Sequence, residues 1–404
     1  MASKITAQGR AAARIDSVAD AQALARRRLP TSLYQAVEGG AAKAVTQSRN
    51  EAAFDDVSFR PRAGVWSPTL DLGVKVLGQD LSLPLIIAPT GNLGVYHRDG
   101  ERGVARAAVA NGAAMCVGTL SGTPIEDVAA AAGPGASLFY QLYFLRDRDT
   151  VEYAIERAKQ AGCKALVLTL DGASHVARER PAHERVLPVF EARSSLWNML
   201  RFAPQAAGSL AWVRDFLRDP GLLDAPMARS RAGETMDFLQ AFGQVFVNHL
   251  PPPTWEDFVW IREAWGGPIV AKGILSADDA RRAVDAGASA VVVSNHGGMT
   301  CDGAPASLRV LPGIVDAVGG QTEVLFDSGV RRGLDVLKAV ALGARAVMIG
   351  HAYVWPLAAA GEAGVARILS LFRGEMEQGL RYLGCPSIGA LDRSYLTDWP
   401  GRLD

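Results

Sequence analysis

Along this chain, short apolar runs alternate with longer stretches whose apolar residues repeat at helical spacing. The runs are too short for core helices and rich in β-branched residues, so they read as buried strands. Four lie at residues 84–91, 113–121, 138–144 and 165–171, and four more at 268–274, 290–296, 323–330 and 346–350. Helices are predicted between them at 101–111, 124–132, 148–161, 255–265, 276–286, 306–318 and 333–342. Strict alternation implies parallel strands joined by right-handed crossovers. Eight such units close as a (β/α)8 TIM barrel, an α/β fold. An open doubly wound sheet is the alternative, but no Gly-x-Gly-x-x-Gly follows the first strand.

Two segments break this rhythm. Residues 1–80 form an N-terminal extension. It begins with an Ala/Arg-rich helical stretch over 1–28 and a short helix from Thr31 that Gly39-Gly40 ends. An irregular segment from Asn50 to Asp71 follows. Residues 172–253, after the fourth strand, far exceed an ordinary βα loop. Trp197, Phe202, Trp212 and Phe216 favour short helices folded over the barrel rather than a disordered linker. An insertion of that kind is expected to be a lid or substrate-binding segment. All 404 residues are thus expected to build one domain.

A hydrophobic content of 49% can fill a core of this size. Lys+Arg and Asp+Glu both number 42, so no bulk charge points to nucleic acid or an anionic membrane. Cys116, Cys163, Cys301 and Cys385 are widely spread without metal-ligand spacing, which fits reduced thiols in the cytoplasm and no metal. The start of the chain lacks a continuous apolar segment of signal-peptide type, and no run has the length of a membrane span.

In a barrel the C-terminal strand ends converge on one site, so their polar residues are the candidates. They are Pro89-Thr90-Gly91 on the first strand, Gln141 and Tyr143 on the third, and Thr169 and Asp171 on the fourth, with His175 and Arg178 further along. Lys272 ends the fifth strand, His296 the sixth, Asp327 to Arg331 the seventh, and Gly350-His351 the eighth. Ser294-Asn295-His296-Gly297-Gly298 dominates this set. A lone histidine often just caps a strand, but one flanked by Ser-Asn and a glycine pair suits proton transfer beside a closely approached ligand. Lys272 lies in Ile-Val-Ala-Lys-Gly, where burial is costly without a negative partner; a snorkelling surface lysine is the plainer alternative.

These motifs, in this order from about Leu29 to Leu383, resemble the FMN-dependent α-hydroxy-acid oxidase and dehydrogenase family, to which glycolate oxidase and mandelate dehydrogenase belong. The resemblance implies FMN as cofactor. It implies that Lys272 stabilises reduced flavin, that Gln141 and Thr169 bond the flavin ring, and that Pro89-Thr90-Gly91 lies against flavin N5. Gly91 stands where the family often has alanine. Asp327, Gly329, Arg331, Gly350 and His351 match the phosphate end, where the usual Gly-Arg is here Gly350-His351. His296 matches the catalytic base, Asp171 its orienting carboxylate, and Tyr143 the residue bonding the substrate oxygen. The implied reaction removes a proton from a substrate heteroatom while the adjacent carbon reduces the flavin.

The substrate carboxylate contacts depart from the family. Its arginine after His-Gly-Gly is Met299 here, and its N-terminal tyrosine aligns with Ala36, two residues after Tyr34. Only Arg178 of that set remains. Methionine offers neither charge nor donor, so a wider, more apolar pocket is expected. Residues 253–267 and Ala344 to Gly350 also resemble the pre-mycofactocin synthase subfamily, which oxidises an amine-bearing carbon of a lactam. The expected activity is therefore FMN-dependent oxidation of a carbon bearing an amine or hydroxyl in a larger, weakly charged substrate. The alternatives are an L-2-hydroxy-acid oxidase or dehydrogenase, and a non-redox barrel isomerase or binding protein. The resemblance further implies a homo-oligomer, a tetramer, with O2, a quinone or a redox protein as electron acceptor.

Overall fold

The computed structural model describes residues 7–144, 147–172, 197, 204, 207–218, 224–246 and 253–399. Eight parallel strands close a barrel: β1 (Leu85–Ile87), β2 (Ala114–Gly118), β3 (Leu138–Leu142), β4 (Ala165–Thr169), β5 (Ile269–Ile274), β6 (Ala290–Val293), β7 (Glu323–Phe326) and β8 (Ala346–Ile349). The expected TIM barrel is therefore observed, with a helix after each strand wrapped around the outside. Every barrel strand is buried on both faces, save partial exposure of Gly273 and Glu323, which explains why the strands read as continuous apolar runs.

The barrel interior is filled by small and branched side chains, among them Ile86, Ala114, Cys116, Val167, Val270, Val292, Leu325 and Met348. A hairpin (Val74–Val76 with Gln79–Leu81) closes the N-terminal end of the barrel. Its turn residue Leu77 donates its N–H to both carboxylate oxygens of Glu323 at the start of β7. The N-terminal end is thus plugged, and chemistry is left to the other end.

Strand register sets the site. Gly118 pairs with Gln141, and Thr169 with Lys272, so polar residues from neighbouring strands meet at one level. The β5–β6 register shifts around Gly273 (φ +105), and a Cβ there would lie 2.5 Å from the Asp171 side chain. Glycine is what allows the fifth strand to pass that carboxylate.

Several boundaries differ from the sequence reading. Asp171 and His296, expected within strands, lie just beyond the paired residues, where the chain has already turned. The 1–28 stretch is two helices, Ala7–Ala12 and Val18–Arg28, the second capped by Ser17. Helix Thr31–Glu38 does end at Gly39, but φ there is −81°, so the stop is an extended residue rather than a left-handed glycine. The segment called irregular contains the end of helix Val45–Ala52 and a short strand, Ser58–Phe59, paired with Leu396–Asp398. The chain after β8 forms one long helical element, His351–Leu383, kinked at Gly361 (φ +64, ψ −147). It packs on the N-terminal helices Ala7–Ala12 and Val18–Arg28. Within the insertion, helix Leu210–Arg218 buries Trp212 and Phe216 in a stacked pair, as expected of a segment folded onto the barrel. Trp197 is exposed, and Phe202 lies outside the described residues.

Candidate active site

The strand ends surround a cavity of about 340 Å3. Its floor is a buried polar lattice. Gln141 donates through Nε2 to Thr169 Oγ1 at 2.9 Å, and its Oε1 accepts from the Thr119 N–H at 3.2 Å. Thr119 Oγ1 donates to the Gln141 carbonyl and accepts the Tyr143 N–H. Gln141 is therefore locked in one rotamer with its amide at the cavity wall. Thr119, at the end of β2, was missed, although the strand-end rule points straight to it.

Lys272 is 3% exposed and meets Asp327 Oδ2 at 3.2 Å and Ser294 Oγ at 3.0 Å. The expected negative partner is thus Asp327. Burial alone would push the ammonium pKa down, but Asp327 and Asp171 outweigh it and hold the pKa above its ordinary value. Lys272 stays charged at the cavity wall. Breaking such a buried pair from one side typically costs about 3–5 kcal/mol.

His296 sits in a single helical turn, His296–Gly298, at φ +57. A non-glycine residue in that region is strained and persists only when surroundings over-determine it. Here they do. The His296 N–H donates to Ser294 Oγ, and Asn295 accepts the Gly298 N–H. Asn295 and Asn50 form a buried reciprocal amide pair at 2.7 and 2.8 Å. Gly298 lies so near the N-terminal segment that a Cβ would stand 2.6 Å from Gln47 N. That contact explains the second glycine of the motif.

The imidazole is held from both ends. Nδ1 lies 3.3 Å from Asp171 Oδ1, and Nε2 lies 3.2 Å from Tyr143 Oη. With the proton on Nδ1 donated to Asp171, Nε2 is the basic nitrogen and accepts the tyrosine O–H. Burial raises the Asp171 pKa, but His296 and Lys272 outweigh it and hold the carboxyl below its ordinary value. Burial, then Asp171, pushes the Tyr143 phenol far up, so it remains a donor.

Beyond Asp327, Ser328 to Arg331 and Gly350-His351 form a further wall of the cavity. Ser328 and Gly329 both adopt positive φ (+86 and +85), which bends the backbone around the cavity edge. Ser328 Oγ donates to Asp327 Oδ1 and accepts the Gly297 N–H. Helix His351–Leu383 starts at this edge, and a helix N-terminus with a guanidinium nearby suits a phosphate. Arg331 donates to Glu51 Oε1 at 2.7 Å, and His351 Nε2 donates to the Val37 carbonyl at 2.8 Å.

The remaining wall is apolar. Leu33, Ala36, Val37, Tyr96, Leu120, Phe238, Phe242, Met299 and Val354 face the cavity. Ala36 and Met299 are thus at the wall as expected. Tyr34 points elsewhere, bonded to Glu38 and Gln22 and packed on Trp355. A Cβ on Gly91 would touch Leu120 Cβ at 3.1 Å, so that glycine leaves only slight extra space.

Pro89, Thr90, Gly91, Gln141, Tyr143, Lys272, His296, Met299, Ala36, Asp327, Gly329, Arg331, Gly350 and His351 all line the cavity. Thr169 and Asp171 stand behind it, bonded to Gln141 and His296. Arg178 and His175 lie outside the described residues. Phe238 and Phe242 from the insertion and Leu33 and Val37 from the N-terminal helix carry no local motif, and sequence reading did not find them.

This donor set fits FMN. A buried cation and a locked amide meet at one end, an apolar wall follows, and a bent Ser-Gly turn with an arginine and a helix start closes the other end. The model of the family described as FMN-dependent dehydrogenase matches residues 25–398. Pre-mycofactocin synthase of Mycolicibacterium smegmatis is 44% identical over 92% of this chain and 91% of its own. L-lactate dehydrogenase of Chromohalobacter salexigens is 40% identical over 93% of this chain and 94% of its own. Among solved structures, the monotopic membrane protein (S)-mandelate dehydrogenase superposes with a TM-score of 0.85 at 34% identity, covering 95% of this chain and 99% of its own. Among the described residues of the present chain, no helix is long and apolar enough to cross a membrane. The chain belongs to the FMN-dependent dehydrogenase family and is an FMN-dependent oxidoreductase.

Proposed function

We propose that this enzyme oxidises a carbon bearing an amine or hydroxyl group in a larger, weakly charged substrate. The observation that carries this reading is the wall at Ala36 and Met299, apolar where the family places two polar carboxylate contacts. Among the described residues, the lysine and arginine on the cavity wall are already engaged: Lys272 with Asp327, and Arg331 with Glu51. A free carboxylate lying against Ala36 and Met299 would lose its hydration without gaining a strong partner from these residues. The likeness to pre-mycofactocin synthases agrees with this reading, and that to L-lactate dehydrogenases keeps small 2-hydroxy acids as the competing one.

In this reading His296 Nε2 takes the proton from the substrate N–H or O–H. Asp171 orients the ring and favours the imidazolium that results. Tyr143 donates its O–H to the same heteroatom and fixes it near Nε2. Lys272 would stand at the pole of the flavin ring where negative charge grows on reduction, with Gln141 and Thr169 along the ring edge. Arg331 and the turn at Gly329 would hold the phosphate, with Gly350 and His351 at the helix start. Bound FMN supplies the two-electron acceptor. The apolar walls exclude water around these groups, which strengthens each electrostatic contact.

The test is anaerobic flavin bleaching by a panel of amines, lactams and hydroxy compounds, charged and neutral. Fast bleaching by neutral, bulky members is expected. Saturation by lactate or glycolate at micromolar concentration would replace this reading with that of a 2-hydroxy-acid enzyme.

A further inference from the structure

A second, polar cavity of about 610 Å3 lies beside the first. Arg331 and His351 line both, so they form the partition between them. The second cavity is walled almost entirely by the N-terminal extension, including Gln35, Glu38, Lys43, Gln47 and Glu51. The same extension grips both partition residues. Glu51 holds Arg331 by an ion pair of 2.7 Å, and Val37 holds His351 through its carbonyl. The Arg331 guanidinium also donates to its neighbour's carbonyl at Val330, and the Arg331 backbone N–H donates to Asp335 Oδ2. Burial makes this guanidinium easier to deprotonate, while Glu51 and Asp335 oppose that.

We infer that Glu51 weakens the grip on the cofactor's phosphate, so that the N-terminal extension sets how readily FMN leaves. This rests on the reading of Arg331 as the phosphate cation. The chemistry is direct. A phosphate monoester near neutral pH carries between one and two negative charges, and Arg331 would be its main cation. A carboxylate on the same guanidinium cancels part of that positive charge and repels the dianion. The arginine that the family carries after β8 is a histidine here, already donating to a backbone carbonyl, so it does not offset the loss. The second cavity brings polar, hydrated surroundings to the partition, which suits release of a charged end group.

The Glu51 side chain is half-exposed, and glutamine preserves its shape and its oxygen acceptor. Glu51→Gln therefore removes the charge while leaving Arg331 oriented. The cofactor is removed and the protein reconstituted with FMN or with riboflavin, which lacks the phosphate, and affinity is read from flavin fluorescence. Glu51→Gln should tighten FMN about tenfold at low salt, less at high salt, and leave riboflavin unchanged. FMN affinity that is unchanged or weaker in that variant overturns the inference, as does equal tightening of riboflavin. Arg331→Met tests the underlying reading separately: it should weaken FMN strongly and riboflavin hardly at all. If Arg331→Met treats the two flavins alike, Arg331 is not the phosphate cation and both readings fall together. If it discriminates but Glu51→Gln does not tighten FMN, only the role of Glu51 fails.

Discussion

The two halves of the cavity are built on different terms. The inner half, formed by strand ends, is largely buried and held by polar contacts: Lys272 to Asp327 and Ser294, Gln141 to Thr169 and Thr119, His296 to Asp171 and Tyr143. The outer half comes from the N-terminal extension, the insertion and the loop after β6, and it is mostly apolar: Leu33, Ala36, Val37, Phe238, Phe242 and Met299. The inner half fixes proton and charge positions and leaves little freedom to vary. The outer half fixes shape and polarity and can be altered residue by residue. One fold can thereby keep its redox chemistry while changing its substrate.

Substitutions should separate the halves, and the inner ones should cost most. His296→Ala removes the base, and loss of a general base typically slows turnover by about a hundredfold to ten-thousandfold. The variant should retain FMN yet resist reduction by substrate, seen as persistent yellow colour under anaerobic conditions. Rapid bleaching in that variant would remove His296 from the mechanism.

Met299→Arg is the strongest test of the outer half. A charge-assisted hydrogen bond is typically worth about 1.5–3 kcal/mol, so activity on small 2-hydroxy acids should rise roughly tenfold to a hundredfold. Activity on a neutral, bulky substrate should fall, because the new charge would be buried without a partner. Steady-state kcat/KM on both substrate types checks this, and equal changes for both would show that position 299 does not read charge.

Lys272→Met should lower turnover at least about tenfold, equivalent to roughly 1.4 kcal/mol, by destabilising reduced flavin. It should also leave Asp327 buried without its cation, so the measurement needs a redox titration alongside kinetics. A more negative flavin potential is expected. An unchanged potential would mean that Lys272 serves the fold alone.

The smallest effect concerns the rim, where His97 follows the cavity residue Tyr96. His97 is 5% exposed and contacts Asp99 at 3.5 Å. Burial, with Arg28 nearby, pushes its pKa down to about 4 against Asp99. A histidine depressed in the folded state favours folding above its unfolded pKa of about 6.5, and that contribution fades as pH falls toward 4. Stability should therefore drop across that window, and His97→Asn should flatten the drop in denaturant titrations. A wild-type stability independent of pH there would show that His97 is not buried neutral.

Legibility in the sequence follows the same division. Strand-end residues were readable because an apolar, β-branched run and its polar terminus sit side by side in the chain. Residues 290–298 show this best, a buried strand followed at once by Ser-Asn-His-Gly-Gly. The outer half depends on segments hundreds of residues apart, so no local pattern marks Leu33 or Phe238 as cavity wall. Asn50, which pairs with Asn295 across 245 positions, gave no signal either. The helical element after β8 escaped notice because Pro356, Gly361 and Gly364 interrupt its periodicity, and Gly361 does kink it. Strand ends were placed too far along, since both Asp171 and His296 leave the ladder, His296 to line the cavity and Asp171 to bond its ring from behind.

The central claim is that this cavity selects for weak charge. Anaerobic stopped-flow reduction by mandelate and by its neutral amide, matched in size, tests it directly. The account predicts that the amide reduces the flavin faster and saturates at lower concentration. Faster, tightly saturating reduction by the acid would contradict it and show that a cation elsewhere on the chain receives the carboxylate.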